Sequence, residues 1–467
     1  MSRVILALGV LLSSLAGVHA QDARPATAPP SQQQRPQQPA STPETQRTRP
    51  VFTTPIVVPS ASEEYEPQML DEQPPLQQSS FSRQGVLVET LDGATVSEQS
   101  ADQSFNPASA IKLTTALAAL RMFGPQHRFA TVVWINGKFD KATGTVRGDL
   151  VISGSDPSLH SEHAVAMSRE LNQLGIRTVT GDLIVAPRFS MNFSSSALRS
   201  GESFYDTLDA MRRPASATRA WNNMLFALGD QKRLQTAPSV AVMGAVYVDS
   251  VPQSARVVLT HYSAPLVDVL KVLLCYSNNF MAERLGDALG GPQSVHRMLT
   301  TELGLNAAGT IRIASTSGLG VNRLTPRQML KVYRALLDEL RENNLKADDI
   351  LPVAGVDPGT LQRRYSVSAG RGSIIAKTGT LSRTDGGVSA LVGQFRTQSG
   401  ETLLFVIFNQ RGNVSRFRAT QDMLISGLQQ QHGGPAPFAY TPHTLAMRLA
   451  SSDFDGAKFV SDEYEQN

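Results

Sequence analysis

The stretch Asn106-Pro107-Ala108-Ser109-Ala110-Ile111-Lys112 places a serine at the start of a predicted helix and a lysine three residues later. Apolar residues recur at helical spacing after it, and Gly124-Pro125 ends the pattern. Residues three positions apart share one face of a helix, so the Lys112 amine can take the proton of the Ser109 hydroxyl. The stretch predicts a serine nucleophile with a lysine base, although a helix-capping serine followed by a solvated lysine gives the same pattern.

A Ser-x-Asn motif, which supplies a hydroxyl and an amide, occurs three times. The copies are Ser104-Phe105-Asn106, Ser190-Met191-Asn192 and Ser277-Asn278-Asn279. Ser277 lies between two predicted amphipathic helices, where a short turn can point its hydroxyl and the Asn279 amide into a cleft. We therefore expect Ser277 and Asn279 to belong to the site, although any one copy also fits an ordinary turn.

A third motif, Lys377-Thr378-Gly379-Thr380, follows the apolar run Ile374-Ile375-Ala376 at the end of a predicted strand. A cation and a hydroxyl on an edge strand can hold a carboxylate, and a glycine lets the backbone of a ligand approach closely. A strand that ends in a polar turn would look the same. The motif gains meaning only together with the other two.

The three motifs occur in the order Ser-x-x-Lys, Ser-x-Asn and Lys-Thr-Gly, which is the signature of penicillin-binding proteins and class A β-lactamases. The sequence around them resembles, more narrowly, the class C low-molecular-mass penicillin-binding proteins, the D-Ala-D-Ala carboxypeptidase/endopeptidase family, over about residues 85–430. The blocks that carry this resemblance are Asn106 to Ser109, Gly148-Asp149-Leu150 with Asp156-Pro157, Ser277 to Asn279 with Ala282-Glu283, Leu324 to Gln328, Leu351 to Val356 and Ala376 to Leu381. One departure is Ser315-Thr316-Ser317-Gly318-Leu319, where members usually have Asp-Gly-Ser-Gly-Leu.

The resemblance implies a serine-type D-Ala-D-Ala carboxypeptidase that acts on peptidoglycan stem peptides and is inhibited by β-lactam antibiotics; it leaves an additional endopeptidase activity open. Ser109 then forms the acyl-enzyme and Lys112 is its base, which requires a pKa well below the ordinary value of about 10.4. Ser277 relays a proton to the leaving amine, and Asn279 orients Lys112 and the substrate amide.

The resemblance also assigns the substrate-binding groups. Lys377 and Thr378 hold the terminal carboxylate, Gly379 leaves room for the peptide, and the backbone N–H groups of Ser109 and Thr380 form the oxyanion hole. It implies neither a cofactor nor a metal. The sequence contains no His-Glu-x-x-His motif, which argues against a zinc peptidase. It has a single cysteine, Cys275, which excludes a cysteine-rich zinc module.

The predicted fold is α+β: a transpeptidase/β-lactamase-like domain in which helices cover an antiparallel sheet, interrupted by a strand-rich subdomain. Three strands joined by short polar links, at residues 372–378, 387–395 and 402–408, indicate an antiparallel meander. The predicted parts are a catalytic domain (81–128 and 263–430), an inserted subdomain (129–262) that contains two helical stretches, and a C-terminal tail (431–467).

The N-terminal segment predicts export. Met1-Ser2-Arg3, the apolar run that follows, and the stretch Ala16-Gly17-Val18-His19-Ala20 before Gln21 are typical of a signal peptide cleaved after Ala20, rather than of a membrane anchor. Residues 21–80 are rich in proline and glutamine and indicate a disordered tether. A single cysteine allows no intrachain disulfide, and export without disulfides favours a bacterial envelope or periplasmic location. The net charge of +3 gives no reason to expect nucleic-acid binding.

Two alternatives stay open from the residues alone. A β-lactamase or esterase on the same scaffold would differ in the deacylation step. A non-catalytic wall-binding protein would keep the fold with an inert Ser109. The sequence gives no oligomeric state.

Overall fold

The structure, a computed structural model, describes residues 83–230, 237–305, 311–366, 370–450 and 453–456. The predicted signal peptide (1–20) and tether (21–80) lie outside the described residues. Within these ranges, no helix is both long enough and apolar enough to cross a membrane.

The strands and helices are numbered in chain order. The strands are β1 (Arg83–Thr90), β2 (Thr95–Gln99), β3 (Ala130–Asp140), β4 (Thr145–Gly154), β5 (Thr178–Val179), β6 (Leu183–Val185), β7 (Ala241–Val242), β8 (Val246–Val248), β9 (Arg256–Tyr262), β10 (Ile374–Leu381), β11 (Val388–Arg396), β12 (Thr402–Gln410) and β13 (Asp453–Gly456). The helices are α1 (Lys112–Phe123), α2 (Ser161–Gln173), α3 (Ala197–Leu208), α4 (Ala215–Ala227), α5 (Leu266–Tyr276), α6 (Asn279–Ala288), α7 (Pro292–Arg297), α8 (Pro326–Glu342), α9 (Ala347–Ile350), α10 (Val414–Gln431) and α11 (Leu445–Ala450).

The catalytic sheet has the strand order β10-β11-β12-β1-β2, with antiparallel pairs throughout. The predicted meander forms its first three strands, and the N-terminal hairpin adds to it through β1. In β1, Leu87 belongs to one apolar core while Val86 and Val88 belong to the other, because successive side chains of a strand point to opposite faces. Strand β1 is therefore covered on both faces, and β10 is left as an edge strand.

Helices lie on both faces of this sheet. Apolar side chains of α1, α5 and α8, such as Leu117, Leu273 and Tyr333, form one core with Phe408 of β12. On the other face, Ile425 of α10 packs against strand residues of the second core. The predicted α+β fold with a helix-covered antiparallel sheet is confirmed.

The predicted insert, residues 129–262, contains strands β3 to β9 and has its own apolar core. Its sheet has the order β13-β9-β3-β4-β5-β7; β6 also pairs with β4, and β8 pairs with β6. The described part of this segment holds three helices, α2, α3 and α4, where the sequence pattern predicted two, because only a short turn separates α3 from α4.

The segment predicted as a C-terminal tail carries elements that pack against both parts of the molecule. Pro435 forms a bridge with Thr397 beside the catalytic sheet. Strand β13 pairs with β9 of the insert, and Arg448 in α11 forms an ion pair with Asp268 in α5 at 2.7 Å. A pairing between two strands so far apart in the chain leaves no local sequence signal.

A buried ion pair joins α5 to the loop that precedes β10. Lys271 Nζ donates to Asp357 Oδ2 at 2.7 Å, and both side chains are fully buried. Asp357 also accepts hydrogen bonds from the Val353 backbone and the Tyr440 hydroxyl. Val353 bridges Ile375, at the start of β10. The pair therefore links the helix that ends at the second motif to the strand that carries the third.

We predict that Lys271→Met strongly destabilises the protein, by about 3 to 5 kcal/mol, because it leaves the Asp357 carboxylate buried without its cation. Urea denaturation of the two proteins measures the difference in unfolding free energy. The matched control is Arg341→Met, which breaks the exposed pair with Asp338 and should change little. Equal midpoints for Lys271→Met and the native protein would contradict the prediction.

Candidate active site

The candidate nucleophile, Ser109, lies in a short 3-10 turn, Ala108–Ile111, that leads into α1. The sequence predicted a helix from about Ser109; the 3-10 turn that holds Ser109 continues directly into α1, which begins at Lys112. Ala108 has a φ of 46°, in the left-handed region, so regular helical conformation does not extend before Ser109. The Asn106 side chain supports this turn, because its Oδ1 accepts a hydrogen bond from the Ala108 N–H at 3.0 Å.

The Lys112 side chain is fully buried, and its amine faces three oxygen atoms. Its Nζ lies 3.1 Å from Ser109 Oγ, 2.7 Å from Asn279 Oδ1 and 2.5 Å from the Ser317 carbonyl oxygen. Burial, and then the positive charge of Lys377, lower the pKa of Lys112 well below its ordinary value, while Glu283 opposes the shift. A neutral amine has two N–H donors and one lone pair. Two carbonyl oxygens take the donors, which leaves the lone pair for the Ser109 hydroxyl.

Ser277 ends α5 in the left-handed conformation, with φ 57° and ψ 38°. Asn278 then starts α6, its side chain accepting a hydrogen bond from the Met281 N–H at 2.9 Å. This sharp turn lets Ser277 and Asn279 face the same region. Ser277 Oγ accepts a hydrogen bond from Lys377 Nζ at 2.8 Å, and Asn279 reaches Lys112.

Lys377 is also fully buried. Besides Ser277, its amine donates to the Thr378 carbonyl oxygen at 2.7 Å. Burial lowers the pKa of Lys377 to about 7. The predicted residues therefore form two chains of contacts, Ser109 with Lys112 and Asn279, and Ser277 with Lys377. The two lysines are close enough for the charge of Lys377 to act on Lys112.

The edge strand β10 lies against the nucleophile turn. A Cβ atom on Gly379 would approach the Pro107 carbonyl oxygen to 2.7 Å, so a glycine is needed for this close packing. The Ala376 N–H donates to Pro352 on the free edge of the strand. Successive backbone N–H groups of a strand point alternately to its two edges. The N–H groups of Thr378 and Thr380, two and four residues after Ala376, therefore point to the same free edge.

The turn at residues 315–319 is a part of the site to which the sequence analysis assigned no role. Its Ser317 carbonyl binds the Lys112 amine. Glu283 of α6 holds the turn, accepting hydrogen bonds from the Ser317 N–H at 3.0 Å and the Thr316 hydroxyl at 2.8 Å. A Cβ on Gly318 would lie 2.1 Å from the Ala108 carbonyl oxygen, and its φ is 91°. The only sequence signal was the resemblance of the blocks that contain Glu283 and Gly318.

A second missed group fixes the turn before the nucleophile. The Asn106 amide donates to Asp385 Oδ2 at 2.8 Å, and Arg323 forms two hydrogen bonds with the same carboxylate at 2.8 and 2.9 Å. These contacts join residues from distant parts of the chain, so no local pattern could reveal them.

The other two Ser-x-Asn copies have different surroundings. Asn106 supports the nucleophile turn, as described above. Asn192 lies in the insert and bonds the hydroxyls of Ser161 and Ser203. Ser277, which the sequence analysis selected for its place between two predicted helices, is the copy whose hydroxyl contacts Lys377.

One group of side chains could in principle hold a metal ion. Ligand atoms of His160, Glu162 and His163 lie within 4.8 Å of one another in the insert. However, His163 Nδ1 accepts a hydrogen bond from the His160 N–H at 3.1 Å, and its Nε2 lies 3.1 Å from the Leu449 carbonyl oxygen. Both ring nitrogens of His163 are therefore engaged in protein hydrogen bonds.

Comparison with known proteins is consistent with this geometry. The model of the D-Ala-D-Ala carboxypeptidase 3 (S13) family matches residues 68–232 and 212–428. The D-alanyl-D-alanine carboxypeptidase of Actinomadura sp. is 27% identical over 459 residues, which cover 75% of this chain and 82% of that protein. Carboxypeptidase DacB of Mycolicibacterium smegmatis is 28% identical over 364 residues, which cover 71% and 77%.

Two solved structures have the same fold. A predatory endopeptidase of Bdellovibrio bacteriovorus, in complex with an immunity protein, superposes with a TM-score of 0.67 at 21% identity and covers 80% of this chain and 100% of its own. Penicillin-binding protein 4 of Haemophilus influenzae gives 0.55 at 22% identity, with 75% and 96% covered.

The family match extends over most of the chain and includes all three motifs. It confirms the predicted family and the predicted serine-type carboxypeptidase activity. The chain therefore belongs to the D-Ala-D-Ala carboxypeptidase 3 (S13) family, the class C low-molecular-mass penicillin-binding proteins, and is a serine peptidase of that family.

Proposed function

We propose that this enzyme removes the terminal D-Ala from peptidoglycan stem peptides through an acyl-enzyme on Ser109. The observation that carries the proposal is the buried Lys112 amine, 3.1 Å from Ser109 Oγ and hydrogen-bonded to two carbonyl oxygens. A hydroxyl is a weak nucleophile until a base takes its proton, and a lysine serves as that base only when it is neutral. Burial of Lys112 meets this requirement.

In the acylation step, Ser109 Oγ attacks the carbonyl carbon of the penultimate D-Ala, and its proton passes to Lys112. The backbone N–H groups of Ser109 and Thr380 stabilise the oxyanion, a contribution that is commonly worth several kcal/mol. The direction of the Thr380 N–H, toward the free edge of β10, supports this assignment.

Collapse of the tetrahedral intermediate breaks the C–N bond, and the leaving nitrogen needs a proton. Ser277 supplies it. The contact between Ser277 Oγ and Lys377 Nζ, at 2.8 Å, supports this role, because a pKa of about 7 lets Lys377 replace the proton near neutral pH. Asn279 holds Lys112 and the substrate amide. Lys112 then releases to solvent the proton that it took from Ser109, and Lys377 regains one. Water attacks the acyl carbon, giving its proton to neutral Lys112, and the released Ser109 oxygen takes that proton back, which restores the free enzyme.

The surroundings in which this chemistry takes place follow from the N-terminal sequence. A signal peptide at residues 1–20 exports the enzyme to the periplasm, and the Pro/Gln-rich segment tethers it within reach of the wall. β-Lactams acylate Ser109 as substrate mimics. In support, a second predatory endopeptidase of Bdellovibrio bacteriovorus, with a TM-score of 0.66 at 21% identity, was solved in a form acylated by penicillin G.

Replacing the nucleophile tests the proposal directly. We expect Ser109→Ala to lower D-Ala release from purified muropeptides by about 10⁴-fold or more, because covalent catalysis is lost. Labelling by a fluorescent penicillin, mapped by peptide mass, should disappear with it. Ser190→Ala, at a Ser-x-Asn copy outside the site, is the matched control and should retain both.

Three outcomes of the same assays would contradict the proposal. An adduct that maps elsewhere than Ser109 rules out the nucleophile. Rapid turnover of nitrocefin with no release of D-Ala would favour the β-lactamase alternative. Absence of both reactions in the native enzyme would favour a non-catalytic wall-binding protein. Release of cross-linked dimers as monomers would add an endopeptidase activity.

The charge on Glu283 predicts a pH effect. Protonated Lys112 cannot act as the base, so the acylation rate falls as the pH drops through the pKa of Lys112. Because Glu283 raises that pKa, Glu283→Gln should move the acidic limb of the rate profile to lower pH. The second-order rate of penicillin acylation between about pH 5 and 9 measures the shift. A limb that stays in place, or moves to higher pH, would contradict the assignment of Lys112.

A further inference from the structure

The carboxylate of the leaving residue needs a binding group, and Lys377 is poorly placed to be its main partner. Its side chain is fully buried, and two of its possible hydrogen bonds go to Ser277 Oγ and the Thr378 carbonyl oxygen. Burial also lowers the pKa of Lys377 to about 7, so the amine carries only part of a charge near neutral pH. A carboxylate gains most from a full charge with free donors.

The free edge of β10 offers another partner. Thr378 and Thr380 are two positions apart, so their side chains project to one face of the sheet, and Lys377 projects to the other. Arg418 of α10 lies on the threonine side, where its Nη2 donates to Thr380 Oγ1 at 2.9 Å. Gln421, one turn later, anchors α10 through buried hydrogen bonds to Ser389 and Asn409. The position of Arg418 is therefore fixed by a buried anchor.

The charge of Arg418 is available to a ligand. Its side chain is exposed, and within the described ranges no carboxylate lies at ion-pair distance from it. The nearby acid, Asp422, is held by Arg364 at 2.5 Å. Partial burial, and then the positive charge of Arg364, lower the pKa of Arg418, while Asp422 opposes the shift. Because Arg364 is paired with Asp422, Arg418 is the guanidinium at this end of the site whose charge can attract an anion.

Substrate chemistry brings an anion to this place. In a peptide that ends in D-Ala-D-Ala, three bonds separate the attacked carbonyl carbon from the carboxylate carbon: C–N, N–Cα and Cα–C. If the Thr380 N–H binds the oxyanion, the carboxylate comes close to the Thr380 side chain and to Arg418. We infer that Arg418 is a specificity-determining residue, whose guanidinium binds the carboxylate of the leaving residue next to the Thr380 hydroxyl.

The inference rests on the proposed function and narrows the substrate class. The preferred substrates are acyl-D-Ala compounds in which the leaving group carries a carboxylate on the carbon next to the departing atom. An uncharged amide at that position should be a poor substrate for the native enzyme. A guanidinium can bind a carboxylate through two parallel hydrogen bonds, which lysine cannot match.

Two activated substrates test this: an N-acyl-D-Ala thioester of thioglycolate, and the thioester of the corresponding uncharged thioglycolamide. Both react readily enough to be followed. We expect Arg418→Gln to lower kcat/KM for the thioglycolate ester by about 10- to 100-fold, the loss expected for a hydrogen-bonded charge pair. The value for the amide ester should change by less than about threefold. Arg418→Lys should fall between the native enzyme and Arg418→Gln.

Arg416→Gln removes an exposed arginine from the same helix and serves as the matched control, with no change expected on either ester. An equal loss on both esters would mean that Arg418 only supports the fold of β10, and no loss on either would mean that it does not bind the carboxylate. Both results overturn the inference. If the proposed function itself is wrong, the native enzyme turns over neither ester and penicillin does not label Ser109. This result is distinct from both outcomes that overturn the role of Arg418.

Discussion

The active site depends on one constraint: an amine must remain buried without a carboxylate in direct contact. Lys112 donates to the Asn279 and Ser317 oxygens, both of which are uncharged. Such partners satisfy the hydrogen-bonding capacity of a neutral amine and stabilise its charged form less than a carboxylate would. The two oxygens come from α6 and from the turn at residues 315–319, so both of these segments must be held at fixed distances from α1.

A comparison with Lys271 shows how the same residue type serves a different purpose. Lys112 and Lys271 are both fully buried, but Lys271 contacts the Asp357 carboxylate and forms an ion pair. That pair joins α5, which ends at Ser277, to the loop before β10, which carries Lys377. A buried pair is costly to break, so it keeps the two motifs together. Lys112, the proposed base, has in contrast no carboxylate at hydrogen-bond distance among the described residues, and its partners are uncharged oxygens.

The sequence predicted those parts of the site whose spacing is local. Ser109 and Lys112 are three residues apart on one helical turn, and Lys377 lies on a strand with a clear pattern. The 3-10 form of the first helical turn, and the left-handed conformation of Ala108 before it, have no residue-type signal. Arg418 and the pairing of β13 with β9 were missed because they depend on contacts between segments far apart in the chain. The order of the motifs and the family resemblance supplied the link between segments that spacing alone could not.

The departure at residues 315–319 changes how the turn is supported and leaves its contribution to the site intact. Where relatives usually have Asp-Gly, this chain has Ser315 and Thr316. The Ser315 hydroxyl accepts a hydrogen bond from the Gly318 N–H at 3.0 Å, and together with Glu283 it holds the turn without an aspartate at position 315. The group that contacts Lys112 is the Ser317 backbone carbonyl, and a backbone oxygen is present whatever the side chain. As long as the turn keeps its shape, the proposed base Lys112 keeps this backbone partner, and the proposed acylation step does not depend on the side chains at positions 315 and 316.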